Sequence, residues 1–236
     1  VGNLNGFYQE YMNEAQSPDN APFKPEYIKL HHYTYRRTEE GINTLYRTID
    51  GKETIVPVDI YCGIDPASSL TARSDFFVIA VIAIDSESNK YIVDIVREKI
   101  DPAYQPESII NIYKKYKPKR IRIETTGYQE ALRSNVRKMM LEQKLYIPGL
   151  EKGIKPRNRK SERLMSLVPM LARGEFFFRN VDIIPQQEFL SYPRGKHDDV
   201  LDAIYYAVHN VQPARLKSLD GVIVKKQNKV LDWMTL

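Results

Sequence analysis

Val58-Asp59-Ile60-Tyr61-Cys62-Gly63-Ile64-Asp65 alternates residue by residue. Val58, Ile60, Cys62 and Ile64 fall on one side of an extended chain, and Asp59, Tyr61, Gly63 and Asp65 on the other. Pro66 follows and stops the strand with a carboxylate at its carboxyl end. Downstream, residues 76–84 form a continuous β-branched apolar run and residues 91–98 a third strand, with short turns between, so the three read as an antiparallel meander. The pattern then changes. A helix is predicted over 106–117, a strand over 120–124, a helix over 129–143 and a short strand over 145–148. A meander followed by β-α-β units predicts an α/β fold, a mixed β-sheet flanked by helices.

Further on, residues 153–160 make a basic loop. The helix after it places Leu164, Leu167, Val168 and Leu171 at i, i+3, i+4 and i+7, with Pro169 expected to kink it and Gly174 to follow its last turn. An aromatic strand over 175–179, a loop over 192–196 and an amphipathic helix over 198–211 complete this region. Residues 1–50 carry Pro18, Pro22 and Pro25 and few apolar runs, so a short helix over 7–15 and then irregular or hairpin structure are expected. The expected organisation is a junction segment over 1–50, one α/β domain over 51–213 and a tail or hairpin over 214–236.

Composition narrows the function classes. The 236 residues include 35 basic and 30 acidic side chains and 42% hydrophobic residues, as in a folded soluble chain. The apolar runs are far shorter than the about 20 residues of a membrane span, and the first 20 residues lack the pattern of a signal peptide. Cys62 is the one cysteine, which excludes an internal disulfide and a cysteine zinc site and predicts a buried thiol. There is no phosphate-cradling GxxxxGK[ST] loop for ATP. The net charge of +5 is unevenly spread. Residues 1–111 hold 10 basic and 17 acidic side chains, whereas 112–173 hold 17 and 5. A basic middle third suits a polyanion-binding face, although unlike-charged segments also pair with one another.

Acidic groups stand at three element ends: Asp65, Glu124, and the run His197-Asp198-Asp199-Val200-Leu201-Asp202. At about 100° per residue, Asp198, Asp202 and Asp199 lie within roughly one 100° arc beside the apolar face of the last helix. Each place has an ordinary explanation: a strand-ending turn at Asp65-Pro66, an ion pair of Glu124 with Arg122 or Arg120, and helix capping by the aspartates. Three acids on one arc repel, and a divalent cation that neutralises them is the more economical reading. Carboxylate oxygens without clustered Cys or His suit Mg²⁺ or Mn²⁺.

The segments Tyr61-Cys-Gly-Ile-Asp65-Pro-Ala, Arg122-Ile-Glu124-Thr-Thr-Gly-Tyr-Gln129 and Gly195-Lys-His-Asp198-Asp199-Val-Leu-Asp202-Ala resemble the nuclease domain of the large terminase subunit of tailed bacteriophages. The resemblance spans about residues 58–211, and the opening residues 7–14 resemble the segment that links the packaging ATPase to that nuclease. The Val-Gly start is consistent with a chain cut from a larger protein. The resemblance implies a ribonuclease-H-like fold and an endonuclease that cuts concatemeric double-stranded viral DNA with little sequence specificity. It implies two divalent metal ions, Mg²⁺ or Mn²⁺, about 3.5–4 Å apart, held by Asp65, Glu124, Asp198 and Asp199. Asp202 is an additional candidate, since its spacing from Asp199 resembles that of the related junction resolvases. Asp65 is the expected bridge between the ions. His197 is an auxiliary candidate for proton transfer, and Lys196 a candidate for touching phosphate. Lys155, Arg157, Arg159, Lys160, Arg163 and Arg194 are the expected DNA contacts.

The partners implied are an ATPase motor domain, the small terminase subunit and the portal, in the host cytoplasm, with the isolated domain monomeric. The alternatives are another ribonuclease-H-like nuclease, of the junction-resolvase or transposase type, and a DNA-binding or docking domain that keeps its acids for structure.

Overall fold

The computed structural model describes residues 21–49, 52–67, 76–123, 128–150 and 158–212. In chain order these form β1 (Lys29–Leu30), β2 (Tyr33–Arg37), β3 (Asn43–Ile49), β4 (Lys52–Pro57), β5 (Asp59–Asp65), β6 (Phe77–Ile84), β7 (Lys90–Glu98), α1 (Gln105–Tyr116), β8 (Arg120–Ile123), α2 (Tyr128–Glu142), α3 (Lys160–Met165), α4 (Val168–Ala172), β9 (Phe176–Phe178), α5 (Ile183–Ser191) and α6 (Asp199–Val208). Among the described residues no helix is long and apolar enough to cross a membrane.

The main sheet runs in the order β1-β9-β7-β6-β5-β8. As the alternation predicts, β5, β6 and β7 form an antiparallel meander, with Asp65 opposite Val78 and Asp59 opposite Ile84. β8 lies parallel to β5, Tyr61 opposite Arg120 and Ile64 opposite Ile123, so the sheet is mixed. β6 is buried along its whole length, which matches its unbroken apolar sequence. Helices cover both faces. Ile60, Cys62, Ile64, Ile121 and Ile123 pack on α1 and α2 through Ile109, Leu132 and Val136. Tyr61, Val78, Ala80 and Ile82 pack on the other side against Leu164, Phe189, Leu201 and Ile204, from α3, α5 and α6.

Several expectations change. The segment 145–148 is not a strand: one bond, from the Ile121 amide to the Pro148 carbonyl (2.8 Å), ties it to β8. Pro148 has no N–H to extend a ladder, and Gly149, at φ +94°, turns the chain away. The helix expected over 164–173 is two, broken at Ser166-Leu167, with Pro169 in the first turn of α4 and Gly174 at φ +70° after its end. Helix α5 is absent from the sequence reading, and it carries Pro185. The proline occupies the first turn, where an amide has no partner within the helix in any case.

The expected boundary at residue 50 falls between β3 and β4, which pair in register from Ile49↔Lys52 to Thr44↔Pro57. β2, β3 and β4 make a second, three-stranded sheet, and the Tyr33 hydroxyl donates to the carbonyls of Ile92 (3.0 Å) and Phe177 (3.1 Å) in the main sheet. Residues 21–49 therefore share the core of the larger body. The helix expected over 7–15 and the hairpin over 219–231 lie outside the described residues.

Cys62 is 1% exposed, and burial, with a smaller push from Asp94, raises its thiol far above the ordinary range. It is expected to stay inert to a thiol-labelling reagent in the native protein and to label fully in denaturant. Stoichiometric native labelling within minutes contradicts this packing.

Candidate active site

Alternation in β5 sends Tyr61, Gly63 and Asp65 to the α6 side of the sheet. Gly63 permits the contact: a Cβ there would overlap the Ala203 carbonyl oxygen and the Ala207 amide nitrogen of α6. The direction of α6 follows from its far end, where the Tyr61 hydroxyl donates to the Gln212 carbonyl (3.3 Å). The helix thus runs antiparallel to β5, and its first turn, with Asp199, lies at the Asp65 end. The Phe76 amide, two residues before the Val78 partner of Asp65, donates to Asp199 Oδ2 (3.3 Å). Asp65 and Asp199 consequently belong to one end and one face of the sheet, although 133 positions separate them in sequence.

Capping does not account for the aspartates. The side chain of Asp198, at the N-cap, makes no cap hydrogen bond. That role falls to Glu188 of α5, whose Oε2 accepts from the Val200 amide (2.9 Å). Its Oε1 lies 3.4 Å from Arg97 Nε. Burial lifts Glu188 to about 7, aided by Asp199 and Asp198 and opposed by the Val200 amide and Arg97. The Arg97 guanidinium stacks over Phe76, 3.5 Å from the ring centre, and the Phe76 ring meets His197 edge-on at 5.1 Å. His197 Nδ1 lies 3.7 Å from Asp199 Oδ2. Glu188, Arg97 and Phe76 thus brace the acidic helix start. The sequence reading missed Glu188, which stands in the unassigned helix α5.

Two acids of the arc, Asp198 and Asp202, face cations of the chain itself. Lys160 Nζ donates to Asp198 Oδ1 (2.7 Å) and lies 2.6 Å from Asp202 Oδ2. Arg163 donates to Asp202 Oδ1 (3.3 Å). Burial opposes the Lys160 charge, but Asp202 and Asp198 outweigh it and hold the ammonium protonated. Asp202 is 3% exposed and its carboxyl is raised by burial, with Lys160 and Arg163 pulling the other way.

Arg163, expected on DNA, is 8% exposed and turned to Asp202, and Lys160 is turned to the acids. The reason is the close approach of α3 to α6. Arg159, Arg194 and Lys196 are exposed to solvent. Glu124, Lys155 and Arg157 lie outside the described residues.

Among the described residues no three His, Cys, Asp or Glu side chains come close enough together to hold an ion. Asp65, Asp198 and Asp199 nonetheless offer oxygen donors of the hard kind at one end of the sheet, where the chain already draws in an ammonium. That donor set fits a hard divalent cation.

A family model described as the terminase RNaseH-like domain matches residues 62–211. Comparison with curated proteins finds no match. Among solved structures, the large terminase nuclease from thermophilic phage G20c with bound zinc is 16% identical, with a TM-score of 0.53 over 84% of this chain and 100% of that one. The same nuclease with bound magnesium is 17% identical, at 0.51 over 78% and 94%. The large terminase nuclease domain of Thermus phage P74-26 is 14% identical, at 0.50 over 85% and 100%. At these identities the likeness is one of fold.

Proposed function

Because the chain belongs to the terminase RNase H-like domain family, we propose that it is the divalent-metal-dependent endodeoxyribonuclease of a viral DNA-packaging machine. It cuts concatemeric double-stranded DNA with little sequence specificity. The observation that carries this reading is the convergence of Asp65, at the end of β5, with the acidic first turn of α6, where Glu188 takes over the capping. The solved nucleases of the same fold carry bound magnesium or zinc, which supports a divalent site here.

Asp65, Asp199, Asp198 and Glu124 are the proposed ligands of two divalent ions. β8 ends at Ile123 opposite Ile64, and Glu124 is the next residue in the sequence. Asp202 is assigned to Lys160 and Arg163 and positions the helix. Bound there, divalent ions supply an activated water and neutralise charge on the departing oxygen. The chain's own residues do the rest. Phe76 and His197 orient the Asp199 carboxylate, His197 assists proton transfer, and Arg159, Arg194 and Lys196 meet the phosphate backbone. In the complete machine the partners are an ATPase motor domain, the small subunit and the portal.

Incubation of supercoiled plasmid with the protein tests the reading. Nicked and linear DNA is expected with Mn²⁺ and, more slowly, with Mg²⁺, which demands stricter octahedral geometry. No product is expected in EDTA, and undiminished cutting in the chelator overturns the metal mechanism.

A further inference from the structure

Among the described residues, half-buried arginines have carboxylate partners, with two exceptions. Arg47 lies beside Asp85, Arg97 beside Glu188, Arg163 beside Asp202 and Arg179 beside Asp182. Arg120 and Arg122 of β8 have none among the described residues. Both donate instead to the same backbone carbonyl, that of Asn210, at 2.8 and 3.3 Å. Asn210 holds a left-handed conformation (φ +47°) just past α6, which presents this oxygen to them.

One neutral carbonyl does not compensate two guanidinium charges. Arg120 Nε and Arg122 Nη1 are buried without an acceptor. The nearby His209 is pushed down by burial and by the same two arginines. Asp59 does not relieve the excess, since its carboxylate is matched by the Lys119 ammonium at 2.8 Å. Low-dielectric surroundings make such a cluster costly without an anion.

Placement says which anion. Arg120 and Arg122 stand opposite Tyr61 and Gly63, and Ile121 and Ile123 fill the opposite face. Both arginines therefore lie on the α6 face, the side that carries Asp65. β8 is the edge strand of the main sheet among the described residues, so no further strand covers them. At about 3.3 Å per residue, Arg122 lies roughly 7 Å and Arg120 roughly 13 Å down the strand from the level of Asp65. The Tyr61 ring supports the Arg120 guanidinium at 5.4 Å, and beside it opens a pocket of about 250 Å³ lined by Tyr61, Lys119, Arg120, Asn210 and Gln212.

We propose that Arg120 and Arg122 form a phosphodiester grip, a pair of guanidiniums on the edge strand that holds the backbone of the DNA strand leading away from the acids. The proposal rests on the nuclease reading for its ligand. Planar guanidiniums suit this task, since they take phosphate oxygens in two-pronged hydrogen bonds and keep their charge when half-buried.

The test is the double variant R120Q/R122Q of the whole chain, titrated with one short duplex at several salt concentrations without divalent metal. The slope of log K against log salt is expected to fall by about 1.8, at about 0.9 per lost phosphate contact, with weaker binding throughout. R120K/R122K should restore the slope, since it keeps the charges. A melting temperature that drops while slope and affinity stay at wild-type values shows that the pair only staples β8 to Asn210, and overturns the grip. Should the glutamine variant fail to fold, phenylglyoxal modification of the wild type gives the answer. Duplex should protect Arg120 and Arg122 from the reagent, and equal modification with and without duplex overturns the proposal. Binding is read without cleavage, so the two readings separate. A wild type that grips DNA through these arginines but never cuts refutes the nuclease alone, whereas a cutting wild type with an unchanged variant slope refutes the grip alone.

Discussion

Asp65→Asn is expected to lower divalent-dependent plasmid cleavage by a thousandfold or more, a loss of about 4 kcal/mol of transition-state stabilisation. The substitution keeps the size and shape of the side chain at the carboxyl end of β5 and removes its charge from the centre of the proposed metal site. The strand itself is held by its ladders to β6 and β8 and by the packing of Ile60, Cys62 and Ile64, none of which involves the carboxylate. The melting temperature should accordingly stay within a few degrees of wild type, and duplex binding without metal should persist. Single-turnover cleavage with saturating Mn²⁺ decides the matter. A rate within about tenfold of wild type, ~1.4 kcal/mol, shows that Asp65 is not central to the chemistry.

Gly63→Ala should cost the fold itself. The added methyl meets backbone atoms of α6, the Ala203 carbonyl and the Ala207 amide, which cannot rotate aside as a side chain can. Either α6 moves off the sheet as a body or β5 bends. Overpacking of this kind costs about 1–3 kcal/mol and occasionally more, and the rigid neighbours place Gly63 at the upper end. For a domain of this size, 3 kcal/mol corresponds to a fall of about 6–12 °C in the melting temperature. Activity measured well below that transition should fall as well, because displacement of α6 carries Asp198 and Asp199 away from Asp65. A melting temperature within 2 °C of wild type contradicts the close approach. Here the glycine matters for space, since the backbone at Gly63 is ordinary strand.

How much of this was legible in the sequence depends on the range of the interaction concerned. The alternation of Ile60, Cys62 and Ile64 against Tyr61, Gly63 and Asp65 assigned both faces of β5 correctly. Gly174 marked a helix end, and the apolar arc from Val200 to Val208 marked the face of α6 that packs on the sheet. The resemblance to terminase nucleases agrees with the family match over residues 62–211. Misreadings arose where a local signal had two meanings. The spacing of Leu164, Leu167, Val168 and Leu171 reads as one helix, yet the chain forms two, broken at Ser166-Leu167. The apolar stretch before Pro148 reads as a strand, yet it is not one, and the Ile121 amide ties it to β8 through the Pro148 carbonyl.

The sequence by itself determined the class of fold, the strand and helix faces, and the presence of acids at three element ends. These are properties of neighbouring residues, set by the two-residue period of a strand and the 3.6-residue period of a helix. Only the tertiary structure decided which partner each charged group has. Lys160 and Arg163 meet Asp202 because α3 packs beside α6, Glu188 caps α6 because α5 packs at its start, and among the described residues Arg120 and Arg122, on the edge strand β8, meet the Asn210 carbonyl and no carboxylate. The physical reason is that an ion pair between distant residues depends on how whole elements pack. A hydrophobic pattern records only which side of each element is buried, and leaves open which charged groups then come face to face.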